Sequence, residues 1–300
     1  MNTTATQDLS LWELAAHRAP DENKMYYLKA SIVACSFYLL LHYLIHVIAI
    51  RKYSVYRKEM DTRARVEYRS YVSSPVHALL SVGLSVTAMF WICGNGKTVF
   101  NDDQCFNTPR YIHIWALLNT CGYFIVDFFW LACVVRGTSA MDYQMYAHHI
   151  IGAITFYQTL FFMDFMVVFG VMLLFQEVST TYVSMRWLLH KHKLNNTKAY
   201  NINQLVTFVT FLVFRLIYQI YITFFLAMDW IVKEIENKNM ETFQIACVIE
   251  MTLMVTLSIV LNLYWMYLMC KMAQRTMSRM NTADQEGQPK ANVEKVELID

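Results

Sequence analysis

Seven long, continuous apolar stretches constrain the fold of this chain more than any other feature. A helix needs about 20 mostly apolar residues to cross a bilayer, because the hydrocarbon is about 30 Å thick and each residue rises about 1.5 Å. The stretches are Leu28–Ile50, Val76–Cys93, Tyr111–Val135, Met145–Phe162, Phe165–Leu189, Leu205–Met228 and Gln244–Cys270. Their apolar residues are continuous rather than alternating, which favours helices over a membrane barrel. We therefore predict an all-α polytopic bundle of about seven transmembrane helices.

The scarcity of charge supports this class. Only 16% of the residues are charged, against about 25% in a soluble domain. Disorder, collagen, a coiled coil and an average soluble enzyme are disfavoured. A net charge of +2 gives little attraction to polyanions, so no nucleic-acid partner is expected.

The basic residues predict an orientation. Seventeen of the 25 Lys and Arg residues fall on one side if the seven stretches all cross the membrane. Basic loops mark the cytoplasmic or an equivalent side. An odd number of spans, with the N-terminus non-cytoplasmic and the C-terminus on the cytoplasmic or matrix side, accounts for the asymmetry.

The chain divides into four parts by composition. We predict a polar N-terminal segment (1–27), a first span with a basic loop (28–69), a membrane domain (70–275) and a polar C-terminal tail (276–300). Pro75 and Pro109 are expected just before or at the start of a span, with no proline in a span interior. Cys93 and Cys105 flank the second loop, and their spacing leaves a disulfide open.

Several ionisable residues lie inside the apolar stretches, where each costs at least about 2.5–3.5 kcal/mol on insertion scales. They are Asp127, His148, His149, Glu177, Arg215 and Glu250, with Arg186 near the end of the fifth stretch. Such residues favour a functional site, although Arg215 could equally pair with Glu177, Glu250 or Asp127 and only hold helices together.

His42 and His46 share a helical face, but one such pair is weak support for a metal site, so neither metal nor cofactor is expected.

Six segments together resemble the TLC-domain family, the membrane domain shared by ceramide synthases and translocating-chain-associating membrane proteins. These segments, in family order, are Ser73–Ala78 (SSPVHA), Gly122–Asp127 (GYFIVD), Ala147–Ile150 (AHHI), Glu177–Thr180 (EVST) with Arg186–Leu189 (RWLL), Phe214–Leu216 (FRL) and Leu261–Trp265 (LNLYW). The resemblance is closest to the small seven-span members. It implies a bundle around an internal cavity able to admit an acyl chain.

The resemblance also implies candidate residues. The expected lipid cavity or intramembrane polar core comprises His77, Asp127, His148, His149, Glu177, Ser179, Thr180, Arg186, Arg215 and Asn262. In the family the paired histidines are implicated in acyl transfer, which makes His148 and His149 the candidate catalytic residues. Adjacent residues point about 100° apart on a helix, so at most one of the two rings is expected to face a cavity centre.

The function implied by the resemblance is lipid binding or an influence on membrane lipid composition. The second ceramide-synthase motif, with His-Asp and a further aspartate, is missing after the paired histidines, where the chain reads Gln176–Thr180 (QEVST). Two alternatives stay open: an acyl-CoA-dependent acyltransferase, and an accessory subunit of a larger membrane complex. The expected partners are membrane lipids and, in the second alternative, protein subunits. The family implies the endoplasmic reticulum, with the mitochondrial inner membrane as the alternative.

Overall fold

The structure is a computed structural model that describes residues 11–16, 24–162, 166–236 and 241–285. Its α-helices are α1 (Leu11–Ala16), α2 (Lys24–Lys52), α3 (Ser54–Lys58), α4 (Thr62–Phe90), α5 (Asp103–Phe106), α6 (Tyr111–Phe129), α7 (Ala140–Phe162), α8 (Val167–Leu173), α9 (Val178–Lys191), α10 (Lys198–Thr210), α11 (Met228–Glu236) and α12 (Thr242–Gln285). A 3₁₀ turn, Leu174–Glu177, joins α8 to α9. Three π-helical segments, Trp130–Val135, Phe211–Tyr218 and Tyr221–Ala227, extend or interrupt the long helices. The predicted all-α class is confirmed.

Six helical segments within the described residues are long and apolar enough to cross a membrane. They are Lys24–Lys52, Thr62–Phe90, Tyr111–Val135, Val167–Lys191, Lys198–Glu236 and Thr242–Gln274. The fourth predicted stretch, Met145–Phe162, lies in α7, which is 23 residues long but is not among the six. Polar residues, including His148, His149 and Gln158, lower its mean hydropathy.

The expectation that no span would contain a proline is wrong for Pro75. This residue lies inside α4, which begins at Thr62, well before the predicted start at Val76. The Asp61 side chain caps the helix by accepting a hydrogen bond from the Ala64 backbone N–H at 2.7 Å. The helix therefore starts in the polar loop, where hydropathy gives no signal, and membrane helices tolerate the proline within.

Helix α6 is central to the bundle, because it packs against α2, α4 and α7. Its Gly122 lies directly against α2. A Cβ atom added there would come within 2.6 Å of the Ala34 Cβ and 2.9 Å of the Ala34 carbonyl carbon. The missing side chain thus lets the two backbones approach closely, as small residues do at membrane-helix interfaces.

A disulfide between Cys93 and Cys105 closes the loop from α4 to α6. Within this loop, Lys97 Nζ lies 2.8 Å from Asp102 Oδ2, and the Cys105 backbone N–H donates to Asp102 Oδ1 at 2.8 Å. The Lys97 ammonium and this N–H hold the pKa of Asp102 below its ordinary value. Its stabilising contribution is therefore present at neutral pH and is lost only as the pH falls through that lowered pKa.

Candidate functional site

An ion pair between Glu177 and Arg215 lies inside the bundle. Arg215 Nη2 is 3.5 Å from Glu177 Oε1, and His77 Nε2 is 3.6 Å from Glu177 Oε2. Arg215 Nε and Nη2 donate to the hydroxyls of Ser179 and Thr180 at 2.8 and 2.6 Å. The Thr180 hydroxyl in turn donates to Glu177 Oε2 at 2.7 Å. The two charges compensate each other where an isolated charge would be costly.

Irregular helical segments bring this pair together. Glu177 ends the 3₁₀ turn that precedes α9, and Arg215 lies in the π-helical segment Phe211–Tyr218. The Asn262 amide, from α12, donates to the Arg215 carbonyl at 3.3 Å and to Gln219 Oε1 at 2.8 Å. A π-helix changes which backbone groups bond one another, and such segments frequently occur at functional sites.

A second buried pair joins α6 to α7. His149 Nε2 lies 3.0 Å from Asp127 Oδ2, and the Ser70 hydroxyl donates to Asp127 Oδ1. On its other side, His149 Nδ1 lies 2.7 Å from the Met145 carbonyl oxygen. Because a carbonyl only accepts, Nδ1 carries a hydrogen, and the contact with Asp127 requires a further shared proton. His149 is therefore occupied by structural contacts on both nitrogens.

The neighbouring His148 has different surroundings. Its ring packs edge-on against Phe124 and Trp265, with centroids 5.4 and 5.6 Å apart. No hydrogen bond to its ring nitrogens is found within the described part of the chain. The two adjacent histidines thus point to different places, and His148 is the one that lines a cavity.

Two adjoining cavities of about 30 and 40 Å³ lie between α7, α12 and the π-helical segments, so the helices must separate before a larger ligand can enter. Cavity 1 is defined here by His148, Ile151, Gln176, Gln219 and Ser258. Cavity 2 is defined by Thr159, Met166, Thr223, Val248 and Met251. Both are also lined by Thr155, Phe156, Leu173 and Val255, so they form one slot.

The predicted site residues separate into distinct groups. The structure places His77, Glu177, Ser179, Thr180, Arg215 and Asn262 in one polar network, and Asp127 with His149 in a second. Of the predicted residues, His148 alone lines the slot, where it belongs to cavity 1. Arg186 stands apart, with Nη2 3.1 Å from the Met272 sulfur.

Sequence reasoning missed several polar residues around the cavities. Thr155 and Thr159 follow the predicted residue His148 at intervals of seven and four residues along α7, and all three line the slot. This helical spacing was a visible signal of one polar face. Gln176 and Gln219 carried no comparable signal, because each lies at a change from α-helix to another helical form.

No group of metal-binding side chains is found among the residues that the structure describes. His42 Nε2 is 3.0 Å from the Ser73 hydroxyl, and His46 Nδ1 is 2.7 Å from the Tyr56 hydroxyl. Each histidine thus has a protein partner of its own.

A family model described as the TLC domain matches residues 69–271, about two thirds of the chain. No curated protein matches the chain significantly.

Proposed function

Because the chain belongs to the TLC-domain family, we propose that it binds a long-chain lipid in the slot formed by cavities 1 and 2. The observation that carries this proposal is the slot itself, which lies within a multi-pass helical bundle. Apolar side chains such as Phe156, Leu173 and Val255 line it, together with a few polar ones. An apolar wall with a small number of placed polar groups is typical of small-molecule sites.

We propose that the lipid enters the slot by separation of α7 and α12, because residues of both helices line it. Ile154 on α7 and Leu257 on α12 are exposed on the outer side of these helices, where lipid would surround them. The Gln158 amide donates to the Glu250 carboxylate between these helices, and Trp265 Nε1 donates to Gln144 Oε1 at 2.7 Å. A chain passing between α7 and α12 would meet few other polar contacts.

Filling the slot tests the proposal. Val255 lines both cavities and is 8% exposed, so Val255→Phe places a ring in the space intended for the lipid. We expect lipid mass spectrometry of the purified variant to show a loss of about tenfold in a non-annular lipid that co-purifies with the unchanged protein. Such a loss corresponds to about 1.4 kcal/mol of binding free energy.

A matched control lies two residues away on the same helix. Leu253 is 56% exposed on the outer face, so Leu253→Phe adds aromatic surface without entering the slot. Its co-purifying lipid should be unchanged. Monodisperse elution and an unchanged melting temperature must accompany both variants, and Val255→Leu serves if Val255→Phe does not fold. Absence of any specific lipid from the unchanged protein contradicts the proposal.

A second candidate function is acyl transfer, and the position of His148 favours it specifically. A histidine with free nitrogens at a cavity can act as a base or nucleophile, whereas His149 is occupied by Asp127 and the Met145 carbonyl. We expect His148→Ala to abolish any acyl-CoA consumption and to cost less stability than His149→Ala, because it leaves no buried charge without a partner. His149→Ala should instead destabilise the fold, because it leaves Asp127 buried without its partner.

The measurement is acyl-CoA consumption by purified protein across chain lengths, paired with thermal unfolding of both variants. An unchanged protein that consumes no acyl-CoA excludes this candidate and leaves lipid binding standing. Equal activity in His148→Ala and the unchanged protein excludes His148 as the catalytic group.

The setting of the protein is also part of the proposal. The Cys93–Cys105 disulfide lies in a loop that we predict, from the distribution of basic residues, to be on the non-cytoplasmic side. Disulfides persist in oxidising compartments, which supports this orientation and the endoplasmic reticulum. The mitochondrial inner membrane and the accessory-subunit role stay predictions. Imaging of the tagged full chain and its mass in native gels test them.

A further inference from the structure

Three buried polar atoms of the slot have no hydrogen-bond partner. They are Thr155 Oγ1, Gln176 Oε1 and Thr223 Oγ1, on side chains that are 4%, 8% and 7% exposed. Leaving a buried polar atom unpaired costs about 1–3 kcal/mol. Three such atoms around one slot therefore offer hydrogen-bonding positions to a bound polar group.

The hydroxyls of neighbouring threonines show that a threonine in these helices can find a hydrogen-bond partner within its own helix. Thr159 donates to the Thr155 carbonyl at 2.8 Å, and Thr252 donates to the Val248 carbonyl at 2.8 Å. Such bonds to the preceding helical turn are the usual way to satisfy a threonine in a membrane helix. Thr155 and Thr223 have the same option in helical segments but are without it, so their hydroxyls stay available to a ligand.

The chemistry of these atoms limits what they can bind. Gln176 Oε1 only accepts, so it requires an O–H or N–H donor on the ligand. The two threonine hydroxyls can donate or accept. No aspartate, glutamate, lysine or arginine is among the described residues that line the slot, and His148 is its one ionisable group.

A charged head group would therefore have no counter-charge in the slot. Burying an ionised carboxylate or ammonium without a partner is far more costly than burying a hydroxyl that finds a hydrogen bond. The Glu177–Arg215 pair does not offer a partner, because its charges compensate each other and neither residue lines the slot.

We infer that the slot takes an uncharged lipid with one long chain and a hydroxyl-bearing polar end, of the monoacylglycerol type. This inference rests on the proposed function, because it names the lipid class for the same site. Cavity 1, with Gln176 and Thr155, receives the hydroxyl-bearing end. Cavity 2 receives the chain among Met166, Val248 and Met251, with Thr223 as a further polar contact.

Four probes with the same 18-carbon chain separate the possibilities. They are 1-monooleoylglycerol (uncharged, with hydroxyl donors), methyl oleate (uncharged, without donors), oleate (anionic) and oleylamine (cationic). Native mass spectrometry of the full chain in detergent gives the affinity for each. We expect monooleoylglycerol to bind about tenfold more tightly than methyl oleate, as one or two net hydrogen bonds provide, and more tightly than either charged probe.

A matched pair of variants assigns the effect to the unpartnered hydroxyl. Thr155→Val removes that hydroxyl with little change of shape and should weaken monooleoylglycerol binding about tenfold while leaving methyl oleate binding unchanged. Thr159→Val makes the same change at a threonine that lines cavity 2 but already bonds to its own helix. The affinity of the Thr159→Val variant for both probes should be unchanged.

The outcomes separate the two claims. Equal binding of all four probes, or preferred binding of oleate or oleylamine, overturns the inference and leaves lipid binding in place. Equal effects of Thr155→Val and Thr159→Val on monooleoylglycerol also overturn it. Failure of every probe to bind overturns the proposed function together with the inference.

Discussion

Replacing Arg215 by methionine is expected to lower the free energy of unfolding by about 3–5 kcal/mol. The substitution keeps most of the apolar stem but removes the guanidinium 3.5 Å from Glu177. Glu177 is 2% exposed, so its carboxylate would remain buried without a cation, and the Ser179 and Thr180 hydroxyls would lose a donor. Thermal or denaturant unfolding of the purified protein in detergent measures the loss.

Two further variants isolate the charge pairing. Arg63→Met removes another paired arginine, whose Nε lies 2.9 Å from Glu67 Oε1, but its side chain is 52% exposed. Exposed ion pairs contribute about 0–1 kcal/mol, so Arg63→Met should leave the free energy of unfolding nearly unchanged. Combining Arg215→Met with Glu177→Gln removes both charges and should recover much of the stability. A double variant no more stable than Arg215→Met would show that packing, rather than the unpaired charge, causes the loss.

Adding a single methyl group at Gly122 is expected to cost about 1–3 kcal/mol, because overpacking of a tight contact forces the backbones apart. The Cβ of Gly122→Ala would lie 2.6 Å from the Ala34 Cβ and 2.9 Å from a backbone atom of α2. Neither atom belongs to a flexible side chain that could move aside. The melting temperature should fall, and α2 should become more accessible to proteolysis.

The same substitution at Gly83 provides a control in which stability should rise rather than fall. A Cβ added at Gly83, within α4, would meet no atom within 4 Å. Gly83→Ala should therefore raise the stability by about 0.5–1 kcal/mol through the higher helix propensity of alanine. A loss of similar size at both positions would contradict the close approach of α2 and α6.

Hydropathy predicted most spans because length and apolar content are properties of one helix at a time. The first and last predicted stretches, Leu28–Ile50 and Gln244–Cys270, lie wholly inside α2 and α12. The start of α4 was missed, since Asp61 caps it in a polar loop. Local sequence therefore predicts the presence of each of these helices better than it predicts the residues at which they begin and end.

The side-chain pairs that join different helices were harder to predict from the sequence. Three carboxylates were open as partners of Arg215, and the structure selects Glu177, while Asp127 meets His149 and Glu250 meets Gln158. The choice depends on the rotation of each helix about its axis, which the 3₁₀ turn and the π-helical segments alter. A regular helical projection does not contain those changes, so residues such as Gln176 escaped notice.

The polarity of α7 bears on how the protein is made. A segment with two histidines near its middle enters a membrane poorly by itself, and its neighbour α6 is already synthesised by then. Asp127 on α6 receives His149 at 3.0 Å and so removes much of the cost of bringing that side chain into the bilayer. We therefore expect membrane integration of α7 during biosynthesis to depend on α6, and loss of the Asp127 carboxylate to disturb the insertion of α7 before it disturbs the cavities.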